Sequence, residues 1–273
     1  MRKSLGLGLL SIVMALACTA AHAQAREEAR LLTSQQVIKE LGETPDQFIP
    51  ARLLARAYGI AIVPNVTKAA FFLGASRGNG VLVVRNRYGR FSNPIFVNLT
   101  GGSFGFQWGI QSTDVVLVFT TQRSIDKITS GQITLGADAS VAAGPVGRQA
   151  SAATNPTISS EVYSYSRSRG LFLGVALKGS VITIDKSANA RFYDRGTVDA
   201  SAIANGTVTT NDPIAQRFLA EIYRATGTVL PASAAAAPAP AQPASPGAAQ
   251  PAPHGTQAFP LSDPHPGAQP AGN

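Results

Sequence analysis

Between residues 24 and 253 the chain contains neither histidine nor cysteine; its three histidines are His22, His254 and His265, and its one cysteine is Cys18. A body without either residue excludes Cys/His metal sites, thiol nucleophiles and any Ser-His-Asp triad. Charge is sparse as well. Charged residues make up 14% of the chain, low for a soluble protein, while a hydrophobic share of 45% supports a real core. Acid is missing altogether between Gln47 and Thr113, where Arg52, Arg56, Lys68, Arg77, Arg85, Arg87 and Arg90 fall. With a net charge of +8, one end of the domain is expected to carry a positive field that attracts phosphate-bearing surfaces. A basic solubilising surface with no dedicated partner is the plainer alternative.

At 273 residues the length allows one large domain or two small ones. Residues 1–23 read as an export signal, with Arg2 and Lys3 as the positive region and Leu5 to Ala17 as the apolar core. Ala21-His22-Ala23 supplies the small-residue cleavage site. The apolar run is too short to span a bilayer. A second reading takes Ala15-Leu16-Ala17-Cys18 as a loose lipobox, leaving Cys18 as an acylated N-terminus. Either way the exported domain has no disulfide, and its expected place is the periplasm or the outer membrane. At the other end, 11 of the 18 prolines lie beyond residue 230. That Ala/Pro-rich segment, 231–273, buries too little apolar surface to offset its ordering entropy and is expected to be disordered.

Between these ends, the pattern starts with helical spacing over Arg26 to Leu41, carried by Leu31, Leu32, Val37, Ile38 and Leu41 and stopped by Gly42. Pro50 suits the start of a second helix, Ala51 to Tyr58, with Gly59 as its cap. Leu53, Leu54 and Ala57 would form its apolar face, leaving Arg52 and Arg56 together on another. Short apolar runs punctuated by glycine follow from Ile60 to Ile184, the pattern of an antiparallel sheet or partial barrel. Arg77-Gly78-Asn79-Gly80, Lys178-Gly179 and Ser112-Thr113-Asp114 read as hairpin turns. A short helix is expected near Ser124 to Thr129 with Ser124 as N-cap, and two more near Val198 to Ala204 and Pro213 to Ala225.

The stretch from Gly131 to Arg148 is the pivot of this pattern. Ile133, Leu135, Ala137, Ala139 and Val141 alternate with more polar neighbours, which predicts one half-buried strand. Its small residues would let another backbone or a ring approach closely, and Gly144-Pro145 ends the pairing. Asp138 then needs hydrogen bonds or a basic partner. Asp138 and Arg148 are candidates for a structural charge pair.

Catalytic motifs fail in context. Gly101-Gly102-Ser103-Phe104-Gly105 spells the G-x-S-x-G elbow, but a strand pattern follows it where a helix is required. Ser124-Ile125-Asp126-Lys127 spells S-x-x-K without its companion motifs. The glycines from Gly74 to Gly80 lack the phosphate-cradle spacing. Asp114, Asp138 and Asp185 show no close pairing or calcium-loop spacing. No catalytic, metal or cofactor residue is therefore assigned. Phe71, Phe72, Tyr88, Phe91 and Phe96 interleave with basic residues in a way that superficially suits nucleic acid. The export signal, and the lack of a nucleic-acid motif, argue for an anionic membrane surface in its place.

A set of motifs in order then resembles the SYLF-domain family of lipid-binding proteins. It runs from Ala57-Tyr58-Gly59-Ile60-Ala61-Ile62 through Lys68 with Phe71, Gly80-Val81-Leu82, Ser92-Asn93-Pro94 and Thr113-Asp114. It continues with Leu135-Gly136-Ala137-Asp138, Gly144-Pro145-Val146-Gly147-Arg148, Tyr163-Ser164-Tyr165-Ser166, Arg169-Gly170-Leu171-Phe172 with Gly174, Gly179-Ser180, and Asn189 with Tyr193. The resemblance implies a non-enzymatic domain that binds phosphoinositides or other anionic phospholipids, with actin bundling in eukaryotic relatives. Basic residues near the N-terminal helix carry lipid binding in that pattern. Here the family's usual Lys before Gly-Leu-Ala-Ile is Tyr58.

The resulting expectation is an α+β fold, an antiparallel curved β-sheet or partial barrel with N-terminal and C-terminal helices. Residues 24–49 form a helix and connector and residues 50–226 the SYLF-like domain. Arg52, Arg56, Lys68 and Arg77 are the expected lipid-binding residues. The expected partner is an anionic phospholipid membrane surface, with no nucleic acid; the rival is an envelope protein held by the aromatic strands and tail.

Overall fold

The computed structural model describes residues 24–40, 49–70, 74–103, 109–146, 159–168, 171–175 and 177–228. All of them fall in the first of two compact units, residues 1–237. Residues 1–23, read from sequence as an export signal and including Cys18, lie outside the described residues, as do Arg148 and residues 231–273. The fold is α+β, a strongly curled half-barrel sheet with helices before, within and after it. Helix α1 spans residues 24–40 and α2 spans Ala51–Ala55. Strands β1 (Gly59–Ala70), β2 (Gly74–Val84), β3 (Ile95–Ser103) and β4 (Gly109–Phe119) follow. Then come α3 (Gln122–Thr129), β5 (Gln132–Thr134), β6 (Val141–Ala143), β7 (Val162–Ser168), β8 (Leu171–Gly174) and β9 (Val181–Ile184). Helices α4 (Lys186–Phe192), α5 (Ala200–Ala204) and α6 (Pro213–Thr226) complete it.

The sheet order is β5-β9-β3-β2-β1-β4-β7-β6, with β8 also paired to β7. Ile60 to Val63, Val81 to Val84 and Val115 to Phe119 are buried at every position. A strand buried on both parities has both faces covered, which is why these runs read as continuous and not alternating. The far half of β1 and β2 does alternate. Asn65, Thr67, Arg77 and Asn79 are exposed, between buried Val66, Gly78 and Gly80.

The Gly131-to-Arg148 stretch is not one strand. Gln132–Thr134 pairs with β9 at one edge of the sheet, and Val141–Ala143 pairs in parallel with β7 at the other. Between them Gly136, Ala137 and Asp138 turn, with Gly136 at φ +86° and Asp138 N–H donating to the Thr134 carbonyl over 2.8 Å. Leu135 bonds to Ser180 and Gly179, and the Ser140 carbonyl accepts from Val162. One short segment thus joins both edges of the half-barrel. Alternation looked like a single strand because Ile133, Leu135, Ala139 and Val141 are buried at one parity across two short strands, whereas Ala137, in the turn between them, is exposed.

Close approach through small residues is real at Gly144. A Cβ there would lie 2.0 Å from Cζ of Tyr165, whose hydroxyl donates to the Pro145 carbonyl over 3.2 Å.

Three of the sequence turns need correction. Arg77 to Gly80 lies mid-strand, paired residue by residue with Thr100 to Val97. Its glycines answer to packing: a Cβ on Gly80 would meet the Ile62 carbonyl oxygen at 2.4 Å, and one on Gly78 would meet Val63 at 2.6 Å. Ser112 to Asp114 also runs on inside β4, opposite the bulge in β1. Lys178 and Gly179 do turn, but β8 and β9 pair with different strands, so no hairpin forms. At α3 the N-cap is Thr121, whose hydroxyl accepts the Ser124 N–H. Helix α2 ends at Ala55 and Gly59 opens β1, where a Cβ would strike Ile125 at 2.5 Å.

Helix α1 runs as a strap across the sheet. Leu31, Val37 and Ile38 join the core. Near its start Glu27 pairs with Arg191 of α4 at 2.6 Å and Arg30 with Asp185 at 3.3 Å; at its end Glu40 pairs with Arg167 of β7. Strands β9 and β7 are five strand spacings apart in the sheet order, roughly 24 Å measured around the sheet; the curl makes the direct span shorter, within reach of a helix of this length.

Candidate functional site

Helix α2 begins where Pro50 sets an extended entry, and the Pro50 carbonyl accepts from Leu53 and Leu54. Burying Leu53 and Leu54 against α6 turns Arg52 and Arg56 to solvent, as the spacing requires. Immediately after it Tyr58 stands 43% exposed while its main chain is fixed on both sides, its N–H to Phe119 and its carbonyl from Arg85. Beyond β2 the chain turns at Asn86 to Arg90. The Asn86 side-chain oxygen accepts from the backbone of Tyr88 and Arg90, and Gly89 takes φ +75°. An Asx-type turn with a left-handed glycine is what that composition favours. At its tip Tyr88 is 72% exposed, with the Arg87 guanidinium 4.9 Å from its ring centroid and bonded to its hydroxyl.

Arg52, Arg56, Arg87 and Arg90 therefore share one end of the sheet with two exposed tyrosines. Tyr58 divides that end into two clefts. One, of about 710 Å³, is lined by Arg56, Arg87, Thr121 and Glu161 among others; the second, of about 770 Å³, by Tyr88, Gln122, Asp126 and Asn205. Arg85 belongs to the frame at this end. It donates to the Ala55 carbonyl and the Thr228 hydroxyl and lies 4.7 Å over the Phe91 ring. Burial lowers its pKa from the ordinary arginine value, and proximity to Tyr223 partly offsets this.

The four residues expected from sequence are not brought together. Arg77 pairs with Thr67 and Lys68 with Ser76 at the far end of the β1–β2 ladder. Arg77 lies eight residues along β2 from Arg85, roughly 26 Å at strand rise. Arg52 and Arg56 share a surface; Arg77 and the Lys68 backbone belong to a second one. Asp138 is held by the Thr134 N–H at 2.8 Å and by Lys127 at 3.5 Å, and the backbone bond is the main reason its pKa is lowered. Its basic partner among the described residues is thus Lys127, with Arg148 outside them. Asp114 and Asp185 go to separate ion pairs, with Arg167 and Arg30. Ser103 closes β3 opposite Gly74, in strand geometry and not on an elbow.

Sequence reasoning counted Arg87 and Arg90 in the basic run without assigning them. The signal was the turn: Asn86 and Gly89 between two apolar runs project whatever lies between them. Tyr88 was weighed only for base stacking.

Residues 100–225 match the family described as "Ysc84: Las17-binding protein actin regulator". The chain is 33% identical over 186 residues to SH3 domain-containing YSC84-like protein 1 of Xenopus laevis, covering 68% of this chain and 55% of that protein. It is 38% identical over 150 residues to the protein of the same name from Homo sapiens, covering 55% of this chain and 44% of that one. With LAS seventeen-binding protein 3 of Saccharomyces cerevisiae it shares 40% over 151 residues, covering 54% of this chain and 33% of that protein. The chain thus spans about half or less of the relatives it matches.

Proposed function

The chain carries a Ysc84-family (SYLF) domain, and from that premise we propose that it binds anionic phospholipid at an envelope membrane, without catalysis. The observation that carries this reading is the convergence of Arg52, Arg56, Arg87 and Arg90 around exposed Tyr58 and Tyr88 at one end of the sheet. Each arginine near an anionic surface gains about 1 kcal/mol, so four give reversible, salt-sensitive binding. Tyrosines suit the interface because an apolar ring carries a polar tip. The reading narrows the expected lipid-binding set to its Arg52 and Arg56 half. Co-sedimentation with neutral and anionic vesicles at low and high salt tests it. Binding should rise with negative charge, fade with salt and fall at least tenfold in Arg52→Glu/Arg56→Glu. Equal binding to neutral vesicles would sink it.

A second reading is a protein-interaction module. The yeast relative is named for binding LAS seventeen, and the family description names Las17 and actin. The same exposed tyrosines would then serve as contact anchors. Binding that is insensitive to salt and to lipid charge, with a protein captured in a 1:1 complex, favours this reading.

A further inference from the structure

A second basic cleft opens where α1 crosses the bulge midway along β1, well along the strand from Tyr58. Its volume is about 490 Å³, and its lining includes Arg26, Arg30, Thr33, Asn65, Arg77 and Asn79. No carboxylate lines it. Arg30 is preset, paired with Asp185 at 3.3 Å and lying 5.3 Å over the Phe96 ring. Arg26 and Arg77 are exposed, and among the described residues neither has an acidic partner within ion-pair distance. The floor is the bulge itself. Asn65 holds a left-handed φ of 52° and is pinned by its N–H to Asp114 at 2.9 Å, so the wall facing the arginines is rigid.

We propose that this cleft is a binding site for a phosphate-class oxyanion, separate from the Arg52/Arg56 surface. Arg26 and Arg77 bring two uncompensated guanidinium charges to one cleft, beside Arg30, whose charge is already balanced by Asp185, and an anion between them removes their repulsion. Guanidinium forks match phosphate oxygens in pairs, and the amide and hydroxyl groups around them supply neutral bonds. The volume suits a diphosphate-sized group better than a lone ion, being at the lower end of small-molecule sites. Because Arg26 and Arg30 come from α1 and Arg77 from β2, the bound anion staples the strap to the sheet.

Inorganic pyrophosphate, added to the full chain at constant ionic strength, is the probe. It should raise the melting temperature and slow amide exchange over residues 24–33, where matched chloride does neither. Arg26→Gln and Arg77→Gln should each weaken the effect at least tenfold, while Arg52→Gln/Arg56→Gln leaves it unchanged. Arg26 and Arg77 are both exposed, so unliganded melting temperatures should stay at the parent value and report folding. A parallel arm uses vesicles containing phosphatidic acid. Loss of vesicle binding in Arg77→Gln, without any pyrophosphate effect, identifies a lipid phosphate as the source and keeps the site. Absence of a pyrophosphate effect together with unaltered vesicle binding in both variants overturns the proposal, and leaves the Arg52/Arg56 reading to stand or fall on its own test.

Discussion

Asp114 on β4 stands directly opposite Arg167 on β7, with 2.9 Å between its Oδ2 and the arginine Nε, while its Oδ1 takes the N–H of Asn65 over the same distance. Arg167 also meets Glu40 at the end of α1. One carboxylate therefore pins the β1 bulge and, through one arginine, anchors the strap. Burial lowers the pKa of Arg167 from the ordinary arginine value, while the guanidinium stays charged and its two carboxylate partners offset the cost of burying it.

Removing Asp114 tests that junction. Asp114→Ala should cost about 2–3 kcal/mol in urea unfolding, short of the full cost of orphaning a buried charge because both side chains keep some water contact. Asp114→Asn retains an acceptor for Asn65 and should cost less. Equal losses in the two variants would show that the charge contributes nothing.

The Gly144–Tyr165 contact predicts a sharp size limit. Gly144→Ala places a methyl inside the tyrosine ring and should destabilise by about 3 kcal/mol or more, beyond ordinary overpacking. Gly196→Ala is the control, since no atom lies within 4 Å of its added Cβ and its φ needs no glycine. Its unfolding midpoint should not move.

Alkaline pH should unfold the domain through two tyrosines. Tyr165 and Tyr193 donate their hydroxyls to the Pro145 and Pro94 carbonyls, and burial raises both pKa values well above the ordinary one. In the unfolded chain both ionise near pH 10. A raised folded value gives stability that is fully present below about pH 10 and is lost as pH climbs towards the folded values. Melting temperature should decline from about pH 10 upward, and less steeply in the Tyr165→Phe/Tyr193→Phe double variant. Identical slopes would refute the assignment.

Arg85 and Arg87, two residues apart, should respond oppositely. Arg85→Met loses two hydrogen bonds and a ring contact, for about 1–2 kcal/mol in stability. Arg87→Ala should leave stability within about 0.5 kcal/mol but weaken binding to anionic vesicles severalfold. Urea midpoints and co-sedimentation on the same two variants read both effects.

Much of the architecture was legible because it depends on local chemistry. Helical spacing of Leu31, Val37 and Ile38, the Pro50 start of α2, the apolar runs of β1, β2 and β4, and the α6 stretch each follow from periodicity and punctuation. The turns were harder to read. Gly78 and Gly80 looked like a hairpin because glycine marks both flexible turns and close packing, and only the neighbouring Val63 and the Ile62 carbonyl distinguish the two.

What the sequence determined by itself was the inventory: a body without histidine or cysteine, an acid-free basic run, and apolar segments for one curled sheet. Tertiary structure alone decided the grouping. Strand rise carries Arg77 roughly 26 Å from Arg85, which splits one basic run into two surfaces. Chain curvature brings Arg26 and Arg30, far away in sequence, beside Arg77. Charges act through distance in space, and no linear pattern encodes which strand a helix will cross.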